Sequence, residues 1–178
     1  MDLEKIYQKV SEQNKDLLSK AGIVYNCKNS EKYKKRRYYK NYLECELSSD
    51  DIPICYIGGK LPLWGDLPIH RCTGLLITVD GIFFKTLKDS FFSSIFFLSG
   101  DSGFISKKDL KSIAIGRSDC CFGNDYMGHQ LLINNKVVGL IRFSNGLLWD
   151  ENSLFIAQSL FEEISHSAEQ EQPVVVVQ

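Results

Sequence analysis

Apolar and polar positions change their period along this chain. Near the N-terminus Leu3, Ile6, Tyr7, Val10, Leu17 and Leu18 recur at helical spacing, with a gap at Gln13 and Asn14. That pattern predicts a helix over residues 2–20, capped by Asp2 and stopped at Gly22. Residues 42–47, YLECEL, then alternate as a half-buried strand does. The turn residues 48–51 follow, and Ile54 to Ile57 form a second predicted strand closed by Gly58 and Gly59. The apolar segment LPLWGDLPIHR, with two prolines and a glycine, reads as a loop.

Residues 74–116 carry the densest pattern. GLLITV and IFFKTL flank Asp80-Gly81, a hairpin signal that suits a type I′ turn with positive φ at both central residues. Ser90 to Leu98 are apolar enough for a central strand buried on both faces. Gly100-Asp101-Ser102-Gly103 reads as a turn, and Ser106-Lys107-Lys108-Asp109 as one capped helical turn before the strand Ile113-Ala114-Ile115. A second hairpin is predicted around Asn134-Asn135, between residues 130–133 and 136–143. Leu154, Ile156, Ala157, Leu160, Phe161 and Ile164 mark a final amphipathic helix. Asp150 and Glu151 stand where a helix N-terminus favours acids, and beyond His166 the polar SAEQEQ stretch predicts a frayed tail.

An N-terminal helix, consecutive hairpins and one closing helix follow the order of a pleckstrin-homology-like domain. The central block resembles the bacterial pleckstrin-homology-like (PH-like) domains in Leu76-Ile77-Thr78, in Gly81-Ile82-Phe83-Phe84 and in Ile105-Ser106-Lys107-Lys108-Asp109-Leu110-Lys111-Ser112-Ile113. The resemblance implies an α+β, mostly β fold. Its expected form is a partly open barrel of about seven antiparallel strands, closed by a C-terminal amphipathic helix and preceded by an N-terminal helical appendage. It divides the chain into residues 1–41 (helix and basic connector), 42–166 (barrel with closing helix) and 167–178 (tail). It implies binding or scaffolding, not catalysis. The basic lipid-binding signature between the first two barrel strands is missing, because Lys60 and Arg71 stand alone around the proline loop.

Composition narrows the picture. The chain has 178 residues, 44% hydrophobic, enough for one sizeable core. Its net charge of −1 provides no global field for nucleic acid or anionic membrane. The charge is uneven, however: residues 28–40 carry +6, leaving −7 on the remainder. The first residues, MDLEKIYQKV, lack the basic and apolar regions of a signal peptide, and no apolar run approaches the ~18 residues of a membrane span. Cys27, Cys45, Cys55, Cys72, Cys120 and Cys121 fit no Cys-x-x-Cys spacing, so reduced thiols in a cytoplasm are the expectation.

Two segments are candidates for binding. Leu63, Trp64 and Leu67 form an apolar loop that would anchor a protein partner if exposed, or fold back as a lid over the barrel end. Lys34, Lys35, Arg36, Arg37 and Lys40, interleaved with Tyr38 and Tyr39, could grip phosphates of an anionic phospholipid or nucleic acid. The same run also suits a solvated connector balanced by acidic surface elsewhere. Val174 to Val177 could add to a sheet edge of a partner or second copy, or remain disordered.

Catalytic and metal chemistry is less well represented. His70 and Cys72 share a face if their segment is a strand, which is the minimum for a cysteine–histidine hydrolase, but nothing orients a third member. Asp66, His70 and Cys72 lack a fourth donor and the paired spacing of a zinc site. The expectation is a non-enzymatic, cytoplasmic module that binds another protein, with no cofactor and no metal. The alternatives are anionic lipid or nucleic acid held by the basic segment, and a small hydrolase. Homo-oligomerisation is left open.

Overall fold

Helix α1 (Leu3–Gln13) begins as the sequence predicts, with the Asp2 carboxylate accepting from Lys5 N at 3.1 Å. The gap in the apolar stripe becomes a break. Asn14 donates both its side-chain amide (2.9 Å) and its backbone N–H (3.0 Å) to Val10 O, ending α1 before α2 (Lys15–Lys20) restarts the helix. The computed structural model describes residues 1–29, 43, 47–48, 50–59, 73–88, 99–116, 128–145 and 148–171.

The strands are β1 (Val24–Asn26), β2 (Pro53–Gly59), β3 (Thr73–Thr78), β4 (Gly81–Leu87), β5 (Ser99–Ser106), β6 (Ile113–Ile115), β7 (His129–Ile133) and β8 (Lys136–Ile141). The short pair β9 (Ser144–Asn145) and β10 (Leu148–Trp149) leads into helix α3 (Glu151–Gln170). A seven-strand antiparallel path β1-β2-β3-β4-β8-β7-β6 curls into a half-barrel, and β5 pairs with β4 beside it. This is the expected mostly-β, α+β architecture, with helical segments before the sheet and a closing helix after it.

Helices α1 and α3 fill the half-barrel. α1 contributes Leu3, Ile6, Tyr7 and Val10, and α3 contributes Ile156, Ala157, Leu160, Phe161 and Ile164, to one cluster with Ile57, Leu75, Ile77, Ile82, Leu131 and Ile141. Each fully buried aliphatic or aromatic side chain contributes ~1.5–3 kcal/mol, so α1 is an integral part of the core. α3 also runs past His166 to Gln170, with Ala168 buried, because packing holds the polar stretch that the sequence predicts to fray.

Turn chemistry departs from the sequence reading in two places. Asn134 and Asn135, with φ of 52° and 62°, are the positive-φ non-glycine residues among those described, so the left-handed hairpin turn lies between β7 and β8. Asp80-Gly81 does not adopt it. There Ile77 pairs with Ile82 across Thr78, Val79, Asp80 and Gly81, and Thr78 Oγ1 donates to Gly81 O at 3.0 Å. Gly81 serves close approach instead, since a Cβ there would lie 2.2 Å from Ile105 O on β5.

The second departure is residues 100–103, which belong to β5 and form no turn. A Cβ on Gly100 would lie 2.5 Å from the Leu87 carbonyl carbon, and Gly103 lies beneath the Phe84 ring. These glycines let two strands and a ring approach. Leu43 is helical within the stretch whose alternation predicts a strand, and it packs against Tyr56 and Leu76. The expected strand over 90–98 lies outside the described residues. The capped turn is present: Ser106 Oγ donates to Asp109 Oδ2 at 2.6 Å, and Leu110 N donates to Ser106 O at 3.0 Å.

Candidate interaction surface

Strand register sets a row of large side chains on the face of the sheet turned away from the main core. Tyr25 pairs with Tyr56, Tyr56 with Leu76, Leu76 with Phe83, and Phe83 with Phe104, so one line crosses five strands. Alternation along each strand requires it, because Leu75, Ile77 and Ile82 take the opposite face. Tyr25 and Tyr56 stack with centroids 6.0 Å apart, and Phe83 and Phe104 meet at 4.5 Å and 41°.

Exposure rises from Leu76 through Phe83 to Phe104 along this row. Cys27, Leu43, Tyr56 and Leu76 form a small buried cluster, which Tyr25, Leu47 and Phe83 flank. Phe104, at the far end, is 45% exposed. An aromatic left open beside a half-buried partner is the type of anchor that interfaces use. Ile52, Val137 and Phe155 are the other large apolar residues open to solvent among the described residues.

Two cations are buried. Lys85 lies on the same face as the aromatic row, opposite Gly74 on β3 and Ser102 on β5. Arg142 follows β8 and donates its backbone N–H to Thr73 Oγ1 at 3.1 Å, and burial pulls its guanidinium down to about 10. Both groups belong to the packed interior, and each is engaged by neighbours.

Cys55 is a poor nucleophile. Cys27 and Cys55 are both buried, and burial, reinforced by Cys27, pushes the Cys55 thiol well above its ordinary value. A thiol held protonated is unreactive. Tyr7 lies beside Cys55, and its phenol is also raised by burial. His129 packs edge-on to Phe143 at 6.0 Å, and exposed His166 lies 2.9 Å from the Gln170 amide. Among the described residues no three metal-ligating side chains converge.

The residues singled out from sequence lie elsewhere. Leu63, Trp64 and Leu67, the cations Lys34, Lys35, Arg36, Arg37 and Lys40, the trio Asp66, His70 and Cys72, and the valines 174–177 are outside the described residues. The apolar pattern alone does not separate Phe83 and Phe104 from core residues. The missed signal is the adjacent pair Phe83-Phe84, since in a strand one of two neighbours must face outward. No family model, curated protein or solved structure matches the chain. Among the described residues no helix is long and apolar enough to cross a membrane.

Proposed function

We propose that this chain is a non-enzymatic, pleckstrin-homology-like module that binds another protein in a reducing cytoplasm. The observation that carries this reading is the aromatic row, anchored at Tyr56 and Leu76 and open at Phe104. A rigid sheet holds the row, so little conformational entropy is lost when a partner covers it. The PH-like resemblance agrees with a binding role, and the free buried thiol of Cys55 agrees with a reducing compartment.

Pull-downs from native extract with wild type, Phe104→Ser and Trp64→Ala test it. A specific protein that is retained by wild type and lost with Phe104→Ser is expected. Turnover of a substrate by the purified chain, with no partner recovered, overturns the reading. Retention on anionic vesicles or RNA, abolished by charge reversal at Lys35, Arg36 and Arg37, would favour the anionic-surface alternative instead.

A further inference from the structure

We propose that the outer edge of β5 receives an extended peptide segment of the partner protein by strand addition, with an apolar side chain of that peptide packing on Phe104 and Phe83. The proposal rests on the interaction-module reading and names its site.

The sheet treats its edges unequally. β6, the last strand of the path, is three residues long, and α3 blunts it: Ser165 Oγ accepts from Ile113 N at 2.9 Å and donates to Ile113 O at 3.0 Å. β1, at the other end, is also only three residues long. β5 is eight residues long and pairs with β4 alone among the described strands. Asp101, Ser102, Gly103 and Phe104 are exposed in succession. Consecutive residues of a strand face opposite sides, so the middle of β5 is open on both faces.

β5 carries little of the usual protection of a long edge. It contains no proline and no lysine, its one charged side chain is the exposed Asp101, and Gly100 and Gly103 have no side chains to screen the backbone. Unpaired N–H and C=O groups on such an edge bind an added strand through the main chain, while alternate side chains of that strand give specificity. Phe104 is the apolar contact on one face.

Size selects the occupant. At ~3.3 Å per residue the strand is about 26 Å long, and a strip one strand wide falls well short of the ~800 Å² per partner of a stable protein–protein interface. The edge therefore fits a peptide segment better than a second copy of this chain.

The test uses the intact chain as bait for a displayed library of random peptides, followed by affinity and amide-exchange measurements on an enriched peptide. The expected result is binding about tenfold or more weaker with Phe104→Lys, unchanged with Phe155→Lys, and slowed exchange across residues 99–106. If Phe104→Lys does not fold, Ser102→Lys supplies the same comparison. No enrichment, equal binding by Phe104→Lys, or protection confined to other segments overturns strand addition. A concentration-dependent dimer protected at β5 overturns the peptide occupant. A native protein captured and cross-linked elsewhere on the chain sinks strand addition but leaves the interaction-module reading standing.

Discussion

Ser165 on α3 engages both backbone groups of Ile113 on β6, accepting from its N–H at 2.9 Å and donating to its carbonyl at 3.0 Å. One hydroxyl thus stands where no neighbouring strand lies among the described residues, and it fixes the closing helix against the sheet. Ser165→Ala should cost about 1–2 kcal/mol, the range expected when a backbone pair loses its partner. Native-state exchange should show the Ile113 amide opening faster, while amides of β3 keep their protection.

Asp150 links the other end of α3 to the start of the sheet. Its carboxylate accepts from Ser153 N (3.0 Å), Ser153 Oγ (2.7 Å) and Gly22 N (2.6 Å), and Ser153 Oγ accepts from Ile23 N at 3.3 Å. Asp150→Ala removes a helix cap and a charge-assisted contact together. A loss of about 2 kcal/mol is expected, with a smaller loss for Asp150→Asn, read from urea midpoints.

The turn between β7 and β8 separates backbone from side-chain effects. Asn135→Ala should cost about 1 kcal/mol, because alanine resists φ near 62°. Asn135→Gly should be close to neutral. Asn134→Gly suits the same backbone, yet it loses the bonds of Asn134 Oδ1 with Lys111 N (2.7 Å) and Ser112 N (3.2 Å) and of Nδ2 with Asp109 O (2.9 Å). It should therefore be the more damaging glycine substitution, by ~1 kcal/mol or more in thermal or urea unfolding.

Burial of the Cys55 thiol predicts an alkaline loss of stability. Below its ordinary value, about 9, folded and unfolded chains both hold the proton and pH has no effect through this group. Above it the unfolded chain releases the proton and the folded chain does not, so unfolding is increasingly favoured, by up to ~1.4 kcal/mol per pH unit. Cys55→Ala lowers stability at pH 8 by leaving a small cavity, but its decline between pH 9 and 10 should be shallower than that of wild type. Parallel slopes would show that Cys55 is not responsible.

Much of the fold was legible in period alone. The helical stripe with its gap at Gln13 and Asn14, the two hairpins, the Ser106–Asp109 cap and the final helix all follow from local pattern. What failed was the reading of glycine. Gly81, Gly100 and Gly103 look like turn residues, but strand and ring approach requires them, and such approach depends on partners distant in sequence. The surface was harder to read. Phe104 is indistinguishable from a core residue until register places it at the end of a row beside an edge. The most suggestive sequence motifs, around Trp64 and the basic run, lie outside the described residues and contribute no geometry.

The most direct measurement places a photo-cross-linking phenylalanine analogue at position 104 and, as a control, at Phe155, an equally exposed aromatic on α3. Both variants are irradiated in native extract, and the adducts are identified by mass spectrometry. The account predicts one specific protein joined to position 104 and absent from position 155. The same adducts from both positions, or adducts at 155 alone, would contradict it.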